Sequence, residues 1–373
     1  MVLPWLVPWS PLPLANIVPL LISWSCMGLL MVLGQGLRPL DIARAWAWAA
    51  LISSGIGLLQ YFDLASWLSP LIHVPDHMGE AMANLRQRNQ LATLTAIGMI
   101  AVLWWDRHGL KRPHAVGMLA WLALGNAATN SRTGLLQMLL LTGLVIWWSR
   151  AGQNKPDRLS WPLALAGLGM YAMSIWTLPQ LLSMTAGLDS LNALSRLGND
   201  DGCGSRKILW RNVIDLIAQK PWSGWGWGEL KYAHYITAYS GERFCSILGN
   251  AHNGPLHLAF VFGVPIAVLI MLVLLGLVIK LRPWRSSQMQ HQLAWGVLAV
   301  IGLHSMLEFP LWYGPFQMTL GLAIGLLWSA PSTVPQEERQ EVPMLLAALV
   351  FIGCLYAAWD FNRVGQIYRQ AAS

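Results

Sequence analysis

Ten apolar stretches recur along this 373-residue chain, and most are long enough to cross ~30 Å of hydrocarbon. They run from Leu14 to Leu33, Leu40 to Tyr61, Leu91 to Trp105, His114 to Ala127, Thr133 to Trp148, Trp161 to Leu182, Leu256 to Ile279, Leu293 to Leu307, Leu311 to Trp328 and Pro343 to Trp359. Only 11% of residues are charged and 55% are hydrophobic, against roughly 25% charged in a soluble domain. So little charge does not cover a water-facing surface, which excludes both a soluble globular enzyme and a disordered chain. The net charge of +7 comes from 24 basic residues scattered without a basic block, which excludes a nucleic-acid binder. The expected fold is an all-α integral membrane protein with about ten or more transmembrane helices.

Lys and Arg set the orientation. Arg38 and Arg44, then Arg107, Lys111 and Arg112, then Arg150, Lys155 and Arg158, then Lys280, Arg282 and Arg285 fill connections of one parity, expected on the cytoplasmic side. The connection with Glu337, Glu338, Arg339 and Glu341 shares that parity without the basic excess. The domain plan that follows is N-terminal spans over 1–182, an outer loop over 183–255, C-terminal spans over 256–359 and a short outer tail over 360–373. Residues 1 to 13, with Pro4, Pro8, Pro11 and Pro13 and no basic residue before Arg38, read as the end of another element rather than a signal peptide.

A loop as long as Ser183 to Pro255 is uncommon without a function. It holds Cys203 and Cys245, a candidate disulfide in an oxidising compartment, whereas Cys26 and Cys354 fall in spans. Within it, Ser205 to Ala218 reads as an amphipathic helix lying on the membrane, with Ile208, Leu209, Val213, Leu216 and Ile217 near one face and Arg206, Arg211, Asp215 and Gln219 on the other. Trp222, Trp225 and Trp227 then alternate with Gly224, Gly226 and Gly228, a pattern that suits either close backbone approach to a ligand or an aromatic-belt turn.

Costly polar residues gather on the same outer side. Arg132 opens the fifth run, where a cation opposes the helix dipole and is best tolerated beside an anion or lipid phosphate. Arg86, Arg88 and Arg206 share that face, and clustered guanidiniums suit a diphosphate. His252, flanked by Asn250 and Asn253, precedes the seventh run. His257, His304, Glu308 and Tyr313 fall on the same side, so a titratable imidazole there suits proton removal from a hydroxyl. No metal-ligand spacing, P-loop or dinucleotide fingerprint is present. No cofactor and no metal are expected, and the substrate must carry its own energy.

The ordered series Asn84 to Thr93, Ser131-Arg132-Thr133-Gly134, Ser205-Arg206 to Trp210, Pro221 to Glu229, Asn250 to Pro255 and His304 to Tyr313 resembles the O-antigen ligase superfamily over nearly the whole chain. Within it, the nearest likeness is to the bacterial O-oligosaccharyltransferases that glycosylate type IV pilins. The resemblance implies an inner-membrane glycosyltransferase with its site facing the periplasm, an undecaprenyl-diphosphate-linked oligosaccharide as donor, membrane lipids around it and no nucleic-acid partner. It implies that His252 is the catalytic base, that Arg132 and Arg206 hold the diphosphate, and that Gln87 and Tyr313 support the site. By their own placement on this face, Arg86 and Arg88 join the diphosphate group, and Asn253 and Glu308 join the supports. The implied reaction is metal-independent and inverting, with the arginines stabilising the departing diphosphate.

Three departures from the family accompany this. The chain begins partway through the family's first span, it stops without the soluble domain of many pilin-type members, and Val261 stands where relatives usually place a Glu, leaving Glu308 or Glu229 to substitute. The acceptor is expected to be Ser or Thr of a pilin-like protein, with lipid A core or another growing glycan as alternatives. A lipid-linked-glycan transporter is the alternative of a different class, though no ionisable residue falls at mid-span as transport predicts.

Overall fold

The computed structural model describes residues 1–7, 17–151, 158–187, 202–247, 249–329 and 336–369. Pro8, Pro11, Pro13, Lys155, Asp157 and the stretches 188–201 and 370–373 lie outside the described residues. All regular structure among the described residues is helical. In chain order the helices are α1 (Leu3–Leu6), α2 (Ile17–Leu33), α3 (Pro39–Tyr61), α4 (Arg88–Asp106), α5 (Arg112–Ala128), α6 (Arg132–Ala151), α7 (Trp161–Ala186), α8 (Arg206–Gln219), α9 (Leu230–Ile236), α10 (Gly254–Phe262), α11 (Val264–Leu281), α12 (Met289–Leu307), α13 (Gly314–Ser329) and α14 (Gln336–Arg369). Among the described residues, four stretches are long and apolar enough to cross a membrane: Pro39–Tyr61, Trp161–Ala186, Val264–Arg285 and Glu341–Val364.

Seven of the ten apolar runs lie wholly within one helix, the first does so from Ile17, where its described residues begin, and the ninth opens on a 3₁₀ turn at Pro310–Trp312 before α13, whereas the seventh is divided. It breaks at Gly263, which holds φ 84° between α10 and α11. Only glycine adopts that conformation readily, and Pro265 at the start of α11 has no N–H to continue a helix from α10. At the other end of the sequence, the tail expected from residue 360 is helical as far as Arg369.

The chain divides into two compact units, the first of Met1–Ala193, Trp284–Ile301 and Leu311–Ser373, the second of Leu194–Pro283 and Gly302–Pro310. At the centre of the first unit is α4, in which every residue from Asn89 to Trp104 is buried. It packs against α3, α5 and α6. Close approach depends on small residues, as membrane helix packing generally does: a methyl added to Gly98 would overlap Ala50 of α3. Gly321 and Gly325, one turn apart on α13, likewise lie against the backbone carbonyls of Met27, Leu30 and Met31 on α2.

The second unit has its own apolar core. Leu209, Val213, Leu216 and Ile217 of α8 pack with Leu230, Ala233, Phe244, Ala251, Phe260 and Val261. This corrects the expectation that α8 lies on the membrane by its apolar face. That face is covered by protein, a burial contributing roughly 1.5–3 kcal/mol per aliphatic side chain, and sequence periodicity does not distinguish lipid from a protein core as the partner.

Candidate functional site

The second unit assembles one candidate site around His252. The Cys203–Cys245 pair is bonded, with Cα atoms 5.4 Å apart, and the Cys245 amide donates to the Cys203 carbonyl at 3.2 Å. Two residues later Ser205 caps α8, its hydroxyl accepting from the Ile208 amide at 3.4 Å. Arg206 is therefore the first helical residue, with an anchored turn before it and an apolar face behind it. Asn212 on the same helix pins the chain beside Cys245, accepting from the Phe244 amide at 2.8 Å and donating to the Glu242 carbonyl at 2.9 Å.

The tryptophan and glycine turn closes the gap between α10 and α11. The Trp225 amide donates to the Phe260 carbonyl at 2.8 Å and the Gly226 amide to Val261 at 3.1 Å, while the Val264 amide donates to Pro221 at 2.7 Å. The Phe260 and Val261 carbonyls are among those the end of α10 leaves without intrahelical donors. A Cβ on Gly224 would overlap the Val261 carbonyl, so at this glycine the close backbone approach is made to the chain itself.

His252 adopts a left-handed φ of 50°, and its amide donates to Asn250 Oδ1 at 2.9 Å. Asn253 caps α10, Oδ1 accepting from the Leu256 amide at 3.0 Å, and its Nδ2 donates to the Met306 carbonyl at 3.1 Å. Gly254 lies so near that a Cβ would stand 2.9 Å from the Ser305 carbonyl. These contacts seat the His252 turn on the end of α12, where Nδ1 comes 2.5 Å from Glu308 Oε2. Phe309 meets the imidazole edge-on, with ring centroids 4.9 Å apart. The other oxygen, Oε1, is paired with Arg206 Nη2. Burial opposes ionisation of Glu308, but the His252 hydrogen bond and the charges of His252 and Arg206 outweigh it and hold the carboxyl below its ordinary value. Glu308 is thus the carboxylate at the histidine. Val261 sits in the apolar core, 2% exposed, and Glu229 is exposed beside α9. Two buried histidines, His257 and His304, complete the surroundings.

The remaining predicted residues lie in the first unit. Gln87 caps α4, its Oε1 accepting from the Gln90 amide at 2.8 Å, and Ser131 does the same for α6 through the Gly134 amide at 3.0 Å. The Ser131 hydroxyl donates to Asn89 Oδ1 at 2.6 Å, which ties the two helix N-termini together. Arg132 opens α6 and Arg88 opens α4, so two positive dipole ends meet at their arginines. Arg88 is partly neutralised by Glu80 at 3.2 Å. Arg86 is exposed, in a left-handed turn with φ 56°. Among the described residues, the buried Thr133 hydroxyl at this junction has no hydrogen-bond partner. Tyr313 is buried just before α13. Sequence reasoning missed Gln60, a fully buried amide inside an apolar run, which bonds both the amide and the carbonyl of Ala83 and so fixes the turn leading to Gln87. Among the described residues, no group of three or more His, Cys, Asp or Glu is placed to hold a metal ion.

Three protein families match the chain in order. Residues 81–105 match the family described as Protein glycosylation ligase. Residues 117–271 match O-Antigen ligase, and residues 292–373 match Virulence factor membrane-bound polymerase, C-terminal. The chain is 24% identical over 326 residues to the General O-oligosaccharyltransferase of Acinetobacter baylyi, covering 84% of this chain and 55% of that protein. It is 23% identical over 282 residues to the ComP-specific O-oligosaccharyltransferase of the same organism, covering 74% of this chain and 47% of that protein. The chain thus spans about half the length of the curated relatives it matches. On these matches the resemblance to the O-antigen ligase superfamily, and within it to the protein O-oligosaccharyltransferases, holds for this chain.

Proposed function

We propose that this protein is a bacterial inner-membrane glycosyltransferase, with about ten spans and a site facing the periplasm. It moves an oligosaccharide en bloc from undecaprenyl diphosphate to a hydroxyl, foremost Ser or Thr of a pilin-like protein. The observation that carries the reading is His252 held against a buried carboxylate that also holds Arg206. An imidazole whose Nδ1–H is given to a carboxylate presents Nε2 as the proton acceptor. The names of the two relatives support oligosaccharide transfer as the activity.

In the proposed step the acceptor O–H proton passes to His252 Nε2. The oxygen forms a bond to the anomeric carbon as the bond from that carbon to the diphosphate oxygen breaks, with inversion. The electron pair leaves on the lipid diphosphate, and the imidazolium then releases its proton to solvent. Arg206 is assigned to the departing diphosphate, and the resemblance assigns Arg132 to the same group. At the Arg132 helix end, converging amides and the Thr133 hydroxyl are suited to an anion. The match of residues 292–373 to a membrane-bound polymerase family favours a second reading in which the acceptor is another glycan.

The test uses purified protein, a polyprenyl-diphosphate oligosaccharide, and either a pilin or a lipid A core in separate reactions. Glycan on pilin Ser or Thr, lost in His252→Ala, is the expected result. Glycan on the lipid instead identifies a ligase, and longer chains from donor alone identify a polymerase. Wild-type turnover in His252→Ala at saturating donor refutes the base assignment, and no donor consumption at all refutes the transferase.

A further inference from the structure

Glu308 is the most deeply placed member of its cluster, and its two partners are the open ones. Its side chain is 6% exposed, against 29% for Arg206 and 21% for His252. Each carboxylate oxygen faces a different partner, Oε1 towards Arg206 and Oε2 towards His252 Nδ1. A desolvated carboxylate is costly unless its charge is matched on both oxygens, so neither outer group is easily spared. The backbone reinforces this: the Glu308 amide donates to the His304 carbonyl at 2.8 Å, keeping it on the last turn of α12, and Asn253 ties the His252 turn to Met306 two residues before it.

We propose that Glu308 is a positioning residue that orients the base and a donor-binding arginine through a single carboxylate. Oε2 holds the imidazole with Nδ1 inward, which leaves Nε2 outward for the acceptor hydroxyl. Oε1 takes one edge of the Arg206 guanidinium, which leaves its other N–H donors for the diphosphate. The inference rests on the transferase reading above and adds that base and anion clamp share one support. Loss of Glu308 therefore perturbs kcat and donor KM together. A structural role alone would lower the amount of active enzyme and leave donor KM unchanged.

The experiment measures kcat and donor KM for the full chain in detergent with a polyprenyl-diphosphate oligosaccharide, comparing wild type, Glu308→Gln, Glu308→Asp and His252→Ala. A glutamine has one acceptor oxygen and an NH2 that faces a donor on one side, so it satisfies only one partner. Glu308→Gln is expected to lose up to about 10⁴-fold in kcat, the scale seen when an amide replaces the carboxylate that orients a catalytic imidazole, with a raised donor KM. Glu308→Asp keeps the charge on a shorter arm and is expected to recover part of one parameter, not both. It also serves as the variant if the glutamine form fails to insert, and wild-type kcat and KM in it overturn the proposal. So does a Glu308→Gln enzyme whose activity falls only in proportion to folded protein, with KM unchanged. An active His252→Ala enzyme refutes the transferase base separately from either result.

Discussion

Breaking the Cys203–Cys245 bond is expected to weaken the second unit through its unfolded state while leaving its native contacts in place. The two cysteines are 42 residues apart, and closing a loop of that size removes enough chain entropy from the unfolded ensemble to stabilise the fold by about 4 kcal/mol. Native geometry around the bond has other supports. Asn212 holds both sides of the 242–244 segment, and His234 Nε2 meets the Phe244 carbonyl at 3.1 Å while its Nδ1 meets the Tyr239 hydroxyl at 2.8 Å. Burial of His234 lowers its pKa, the Phe244 hydrogen bond opposing that trend, so the imidazole remains neutral and the pin survives at neutral pH. A Cys203→Ser/Cys245→Ser protein should therefore keep its α8 helix and its second-unit core. Its α8 amides should exchange up to about three orders of magnitude faster where they exchange by unfolding of the unit, since 1.4 kcal/mol is tenfold. Hydrogen exchange read by mass spectrometry measures this, with non-reduced peptide mapping to confirm the Cys203–Cys245 link in wild type. Cys26 and Cys354, both free, act as internal controls for alkylation. Unchanged α8 protection in the double serine variant refutes the loop-entropy argument, and alkylation of Cys203 and Cys245 without reduction refutes the bond.

Arg206→Ala should raise donor KM and also remove the pairing at Glu308 Oε1. Arg206→Lys should recover part of the loss, because an ammonium cannot reproduce a planar fork, and steady-state kinetics over donor concentration check both. Gly263→Ala combines a strained φ of 84° with overlap of the Trp222 carbonyl and should cost roughly 1–3 kcal/mol or more, read as a drop in Tm. Gly321→Leu should force α13 away from the Met27 carbonyl, lowering thermal stability by about 1–3 kcal/mol. Because the folded-state Glu308 carboxyl titrates below the ordinary 4.5, the unfolded chain binds its proton first. The stabilisation from the Glu308 contacts with His252 and Arg206 should be fully present above that value and lost as pH falls through the lowered one, which a pH series of thermal unfolding in detergent measures.

Much of the fold was legible because one signal dominates it. Seven apolar runs lie wholly within single helices whose ends fall within a few residues of the composition change, because a long apolar run that must satisfy its own backbone has little choice but a helix. Gly263 was the exception: the seventh run is apolar throughout, and only the positive φ and the hydrogen bonds arriving from Pro221 to Gly226 divide it. The partner of the α8 apolar face was illegible for a related reason, because amphipathicity reports that a face is buried and not what buries it. Gln60 was missed because a single amide inside a hydrophobic run carries no periodic signature, although its desolvation cost makes it a prime candidate for a structural hydrogen bond.

In this structure the carboxylate beside His252 comes from Glu308 at the end of α12. Family likeness directs attention to position 261, nine residues beyond His252 on the chain, where this protein has Val261 in an apolar core among Leu209, Phe260 and Phe244. An ionised carboxylate in that core is costly unless paired and hydrogen-bonded, so Val261→Glu is not a neutral restoration. Glu308 approaches the same imidazole from the end of α12, where Arg206 is available as its second partner. The proposed base chemistry would need a carboxylate against Nδ1 with its own charge matched, a requirement on the three-dimensional cluster rather than on any one sequence position. A second-site experiment separates the two possibilities: Val261→Glu in the Glu308→Gln background should remain impaired and less stable. Recovery of kcat there would mean that the imidazole can take its support from α10, and that Arg206 does not need the same carboxylate.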